Sequence, residues 1–289
     1  MIPKKKDNTT ITPSIMVELS KIFTDKSWKI DKSPFGCFNK YCQTLSKLEL
    51  KEQALFLDIT KRFTHINQPL YCQYLVTAIK KLLVKYPDVT TYYVSTLTPE
   101  KDEGDPSKSA CQVLYLFKGN TLRNALDIKG VKFKVIGNLN EYKSQQIPLK
   151  PNERILLVDD FMGTGETAVD AVVFFCKKVK FIPENKITIL TIVAHKIGCN
   201  FFASSDVDVV YSEYVDRGIS DYYKGSTLDE AITIMTNIEN RLASSKRRKL
   251  HAKFRFGYQH SEALVCMERS PNNTFPIYWL PANSPYERS

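Results

Sequence analysis

The chain has no CxxC pair, no internal repeat, no apolar run near the roughly 18 residues of a membrane span, and no lysine behind its glycine-threonine loop. Each absence removes a class of function. The seven cysteines (Cys37, Cys42, Cys72, Cys111, Cys176, Cys199, Cys266) are odd in number and scattered, which argues against a zinc cage or a disulfide framework and predicts reduced, mostly buried thiols. The four histidines (His65, His195, His251, His260) do not pair by spacing and read as structural, with His195 and Lys196 set apart because they end a strand candidate. The N-terminal MIPKKKDNTT has lysines but no apolar segment to make them a secretory signal. The expected location is therefore the cytoplasm, with no membrane partner, and the sequons at Asn8 and Asn272 stay silent.

What is present is a globular composition: 289 residues, 43% hydrophobic, enough for one large or two small domains. The net charge of +10 favours anionic partners, and phosphorylated small molecules, nucleic acid and plain solubility all fit it. Lysines 4 to 6 form a small basic run, and SSKRRKLHAKFRF gathers Lys246, Arg247, Arg248, Lys249, Lys253 and Arg255. That segment reads either as a solvated linker or as a nucleic-acid contact, because Lys253, Phe254, Arg255 and Phe256 alternate cation with ring.

Periodicity divides the chain into three. Residues 1–88 read as a helical extension, with apolar spacing of three and four in EQALFLDITKRFTHI and again in PLYCQYLVTAIKKLLVKY. Residues 89–225 alternate strand and helix: TTYYVSTL, the polar loop TPEKDEGDPSKS, helical SACQVLYLFKGNTL, strand VKFKVIGNL, strand RILLVDD, helix ETAVDAVVFFCKKV, and strands ITILTIVAH and DVVYSEY. Connections of that length suit parallel crossovers and predict a doubly wound, mostly parallel α/β sheet. Residues 226–289 read as a helix (TLDEAITIMTNIENRLA), the basic segment and a β-like tail, an α+β extension.

The stretch RILLVDDFMGTGETAVDAVVFF places two carboxylates directly ahead of a glycine-threonine loop. If residues 154–158 form a strand, Asp159 and Asp160 fall at its carboxyl end, where open α/β sheets bind ligands. The loop then leads into a helix, whose free amides with Thr164 and Thr167 suit an anion, while Gly163 and Gly165 permit close approach. A Walker A loop requires GxxxxGK[ST], which is missing. GTGETA does match the dinucleotide pattern GxGxxA, yet the two aspartates would repel a pyrophosphate in that turn. ITILTIVAHK also ends without the acid that would hold an adenosine ribose. A sugar phosphate accounts for both features, its hydroxyls on the acids and its phosphate in the loop.

ILLVDDFMGTGET, 13 residues, resembles the signature of the type I phosphoribosyltransferase family: apolar strand, two acids, two mostly apolar residues, Thr/Gly loop, helix. Gly163 stands where that family often has Thr, Ser or Asp, and Glu166 where Gly or Lys is common. The resemblance implies that Asp159 and Asp160 bind the ribose hydroxyls of phosphoribosyl pyrophosphate (PRPP) and that Gly163, Thr164, Gly165, Glu166 and Thr167 wrap its 5-phosphate. It implies Mg2+ as cofactor and a pyrophosphate loop over residues 95–108, from which Lys108 is carried over. It also implies a lid over residues 138–153, with Lys143 and Lys150. YVDRGISDYYKG is similar to the purine-type members' segment after their last core strand, which turns Arg217 towards pyrophosphate and Asp221 towards the metal. SPNNTFPIYW resembles a segment of phosphoribosyltransferase-like proteins from bacterial conflict and phage-defence cassettes.

Two functions follow. One is a magnesium-dependent phosphoribosyltransferase or PRPP hydrolase of unknown acceptor, acting on nucleotide pools or a macromolecule as a defence effector, with a protein partner or a second copy. The other is a PRPP- or nucleotide-sensing module that binds nucleic acid through Lys246, Arg247, Arg248 and Lys249.

Overall fold

The computed structural model of the chain describes residues 11–31, 33, 35–126, 130–136, 149–179, 182–242, 248–281 and 284–287, without the side chains of Arg248 and His251. Two compact units divide it, Met1–His65 with Asp216–Ser289, and Ile66–Val215.

The first unit opens with α1 (Pro13–Asp25), α2 (Cys37–Leu45) and α3 (Leu50–Lys61). Thr12 caps α1 by accepting the Ile15 N–H, with Pro13 at the first helical position. Glu49 and Glu52 close a capping box on α3. A two-residue strand, β1 (Thr64–His65), ends this part. The core is strongly aromatic: Phe23, Tyr41, Phe56, Phe63 and Tyr278 are fully buried, and Phe63 lies 4.3 Å from Tyr278 between ring centroids.

The second unit is the α/β layer. In chain order it holds α4 (Tyr71–Lys85), β2 (Thr91–Thr96), α5 (Ser109–Lys118), α6 (Asn120–Leu126), β3 (Lys132–Val135) and β4 (Glu153–Met162). Then come α7 (Glu166–Lys178), β5 (Ile187–His195), α8 (Lys196–Phe202) and β6 (Asp208–Val215). The strands lie in the order β3-β2-β4-β5-β6, every pair parallel. β5 is buried along its whole length, which is why ITILTIVAH is an unbroken apolar and threonine run rather than an alternating one. Ile155, Leu157, Ile187 and Ile189 pack against Ala171, Val172, Phe174 and Phe175 of α7. The alternate positions Leu156, Val158, Leu190 and Ile192 point to the other face and are equally buried. From β2 the chain steps to β3 on one side and then to β4 on the other, so the strand order reverses between β2 and β4. A crevice opens at the carboxyl ends of such a pair.

The chain then completes the first unit with α9 (Gly225–Leu242), α10 (Arg248–Lys253) and β7 (Val265–Cys266), which pairs in parallel with β1.

Several expectations change in detail. The helix over SACQVLYLFKGNTL breaks at Gly119, whose extended backbone separates α5 from α6. The strand over residues 154–158 runs on to Met162 and so includes both aspartates. PLYCQYLVTAIKKLLVKY packs on β5 and β6 and belongs to the sheet unit, and that unit ends at Val215 instead of at residue 225. The tail forms turns and single 3-10 turns, with one two-residue strand. Positive φ at Phe256, Gly257, Gln259, His260 and Glu262 breaks any longer run. All seven cysteines are free, but only Cys266 is fully buried and the other six are half-buried. Among the described residues, no helix is long and apolar enough to cross a membrane.

Candidate functional site

Asp159 and Asp160 lie on β4 beside the strand-order reversal, and two helix starts supply their partners. Ser109, the first residue of α5, donates its hydroxyl to Asp159 Oδ1 at 2.8 Å. The same oxygen accepts the Asp160 N–H at 2.8 Å. Tyr71, the first residue of α4 and fully buried, donates its hydroxyl to Asp160 Oδ2 at 2.7 Å. Each acid is thus tethered through one oxygen by a neutral hydroxyl. Among the described residues no Lys or Arg forms an ion pair with either. Burial, and after it the Asp160 charge, pushes the Asp159 carboxyl well above the usual carboxylate range; the hydrogen bonds from the Ser109 hydroxyl and the Asp160 N–H oppose that rise. With Asp160 buried, Asp159 half-buried and no described cation paired to either, the acid pair has unmet demand for positive charge or for hydroxyl donors.

The loop after β4 meets the anion expectation. Gly165 takes the left-handed conformation, φ +89°, and stands at the N-cap of α7 without a side-chain cap. The first-turn amides of Thr167 and Ala168 have no carbonyl one turn back within the helix. Thr164 is half-buried, Thr167 is exposed, and neither hydroxyl has a hydrogen-bond partner among the described residues. Glu166 is exposed in the first turn of α7, where an acid suits the dipole. On its inner side the loop is held: the Gly163 carbonyl accepts the Gly198 N–H of α8 at 3.1 Å.

The remaining candidates are held by contacts of their own or lie outside the described residues. Lys108 is the N-cap residue of α5, next to Ser109, and pairs within its own loop with Asp102 at 3.0 Å and Asp105 at 3.9 Å. Lys150 is exposed before the amino end of β4, the opposite end from the acids, and its N–H donates to Glu153 Oε2. Lys143, most of the lid segment, Lys246 and Arg247 lie outside the described residues, as does the Arg248 side chain, while Lys249 is exposed. Arg217 and Asp221 belong to the first unit, where Asp221 accepts the Arg217 N–H at 2.9 Å and the Arg217 guanidinium donates to the His260 carbonyl at 2.8 Å. In the basic segment, Arg255 donates to Asn240 Oδ1 and approaches Glu239 at 3.8 Å, and Phe256 is buried, so half of the proposed cation-ring alternation is committed to packing.

His195 is fully buried, and its Nδ1 accepts the Ile197 N–H at 3.2 Å, capping α8. Sequence reading did not single out Tyr71, Ser109 or Gly198. A serine opening the helix after the β2 loop is a local feature of Ser109 that was available in the sequence but does not by itself name Asp159 as its partner, and nothing local marks Tyr71 as the partner of an acid 89 positions on.

SPNNTFPIYW forms part of the first unit's scaffold. The Trp279 indole N–H donates to the Thr274 carbonyl at 2.8 Å, Thr274 Oγ1 donates to the Val265 carbonyl at 2.5 Å, and Asn273 Nδ2 donates to Ser261 Oγ at 3.2 Å.

A parallel sheet that places an acid pair and an open glycine-threonine turn at the reversal of its strand order defines an α/β protein of the phosphoribosyltransferase type. The model of the PRTase-CE family matches residues 42–288, and the chain belongs to that family. No curated protein matches the chain.

Proposed function

We propose that the chain binds PRPP and displaces its pyrophosphate, transferring the ribosyl 5-phosphate to an acceptor or to water. The observation that carries this reading is the adjacency, within one strand-loop-helix, of a cation-poor acid pair and a helix-opening turn with the Thr164 and Thr167 hydroxyls to spare. The 5-phosphate takes the amides of residues 163–167 with those two hydroxyls. The ribose hydroxyls donate to Asp159 and Asp160, which keep free lone pairs beside their Ser109 and Tyr71 bonds. The bond between the anomeric carbon and the pyrophosphate oxygen breaks and the bond to the nucleophile forms, with positive charge developing on the sugar. The acid pair stabilises that charge, and holding the two ends of the ribose phosphate supplies orientation.

Mg2+ fits this donor set. The two carboxylates are hard oxygen ligands short of a counter-charge, and no group of three or more ligating side chains forms a cage among the described residues, so most ligands would come from substrate oxygens and water. Asp159 and Asp160 would hold the ion through water, and it would supply charge neutralisation on the departing pyrophosphate. The resemblance of SPNNTFPIYW further supports a role as a defence-type effector acting on nucleotide pools or a macromolecule.

The test is incubation with PRPP and Mg2+, with and without a mixture of nucleobases, followed by measurement of released pyrophosphate. Release that requires the chain and depends on Asp159 supports the reading. No release and no PRPP binding at millimolar ligand would reject it.

A further inference from the structure

We propose that Gly198 is a positioning residue for the phosphate loop: its backbone on α8 backs residues 163–165 so closely that only a residue without a side chain leaves the loop in its anion-binding shape. The inference rests on the function proposed above and names what sets the geometry of that site.

Three contacts carry it. The Gly198 N–H donates to the Gly163 carbonyl at 3.1 Å, which fixes that oxygen towards α8 and so sets the orientation of the peptide entering the loop. A Cβ on Gly198 would stand 2.6 Å from the same oxygen, 3.1 Å from Met162 Cε and 3.3 Å from Gly165 N. The methionine tip can swing aside, but the other two atoms are backbone of the loop itself. From the other side, a Cβ on Gly165 would stand 3.2 Å from Gly198 Cα and 3.6 Å from Phe201 Cβ. Two glycines 33 positions apart therefore meet face to face. The φ of Gly165 explains a glycine there by itself; Gly198 lies outside the positive-φ region, so close approach alone accounts for it. His195 supports the arrangement by capping the turn that contains Gly198.

The consequence is specific. Adding one methyl at Gly198 moves the loop and leaves β4 and the Asp159 and Asp160 tethers in place. Gly198→Ala is therefore expected to weaken ribose 5-phosphate binding by tenfold or more while pyrophosphate binding changes by less than twofold, both measured calorimetrically with Mg2+. General loss of structure would weaken both ligands together. Hydrogen exchange on the wild-type chain provides a readout that needs no variant: the Gly198 amide is expected to exchange slowly, and more slowly still with saturating ribose 5-phosphate. Equal ribose 5-phosphate affinity in a folded Gly198→Ala, or a Gly198 amide that exchanges like an open loop in wild type, overturns the proposal. If wild type binds neither PRPP nor ribose 5-phosphate, the functional reading fails first, and Gly198 exchange still reports whether the clamp exists.

Discussion

The Tyr71 hydroxyl donates a 2.7 Å hydrogen bond to Asp160 Oδ2, so the first residue of α4 holds an acid near the end of β4. Both groups are buried. Removing the hydroxyl leaves the carboxylate oxygen without its donor and free to turn. Tyr71→Phe is expected to cost about 1–3 kcal/mol of stability and to lower kcat/KM for PRPP by roughly tenfold. Urea denaturation and steady-state kinetics measure the two effects, and retention of full activity would separate Tyr71 from the site.

Asp159→Asn should abolish PRPP-dependent turnover and yet stabilise the chain. The wild-type carboxyl is pushed up by burial and by the Asp160 charge, so the native state holds its proton to higher pH than the unfolded state does. Its contribution to stability is present below the ordinary carboxylate range and is lost as pH rises through the raised value. An amide keeps an acceptor for Ser109 and the Asp160 N–H and adds a donor beside Asp160. The expected outcome is a higher melting temperature at pH 8, with a smaller gain at pH 4. Loss of stability at pH 8 would mean the acid is a structural cap.

The strand-loop-helix was legible because its chemistry is local: the apolar run, the acids and the glycines follow one another, and periodicity fixes their faces. The partners of the acids were not legible. Ser109 and Tyr71 reach the pair through the packing of α5 and α4 on the sheet, a tertiary outcome that no spacing encodes. Gly198 was hidden for a similar reason, since a glycine inside a short helix reads as a weak helix former until its neighbour across the gap is known. The tail misled because aromatic and apolar residues imitate a strand, while of the left-handed residues that break it only Gly257 is a glycine, and Phe256, Gln259, His260 and Glu262 carry no such signal.

Glu239 on α9 gives the first unit its own pH dependence. It is buried, accepts the Phe256 N–H at 3.0 Å, and is pushed up to about 7 by burial, against the opposing pull of that hydrogen bond and of Arg255. A folded value above the unfolded one means that stability is greatest below about pH 4.5 for this group and falls as pH rises to about 7, by on the order of 3 kcal/mol. Glu239→Gln keeps an acceptor for Phe256 and is expected to flatten the urea midpoint between pH 5 and 7. An unchanged slope would show that the carboxyl ionises freely.

The basic segment divides by packing. Arg255 serves Asn240 and Glu239, whereas Lys249 is exposed. Arg255→Ser is expected to lower stability, while replacing Lys246, Arg247, Arg248 and Lys249 by Ser leaves stability unchanged. If the segment meets nucleic acid, the fourfold variant should also reduce the log-log salt slope of single-stranded RNA binding by about one unit for each phosphate it no longer neutralises. A wild-type slope near zero leaves the segment a solvated linker.

Glu166 places a negative charge in the first turn of α7, beside the proposed phosphate site, where the related signature commonly has Gly or Lys. Two effects of that charge oppose each other. It stabilises the helix through the dipole, and it repels an incoming dianion. Glu166→Gln should therefore slightly lower the melting temperature and tighten ribose 5-phosphate binding by about two- to fivefold at low ionic strength, with the difference vanishing as salt screens the exposed site. Opposite signs for folding and binding distinguish this from a general defect, which would move both the same way. Weaker binding in the variant would mean that Glu166 contacts the ligand directly, and the loop would then have to be read as receiving a hydroxyl where the phosphate is now placed.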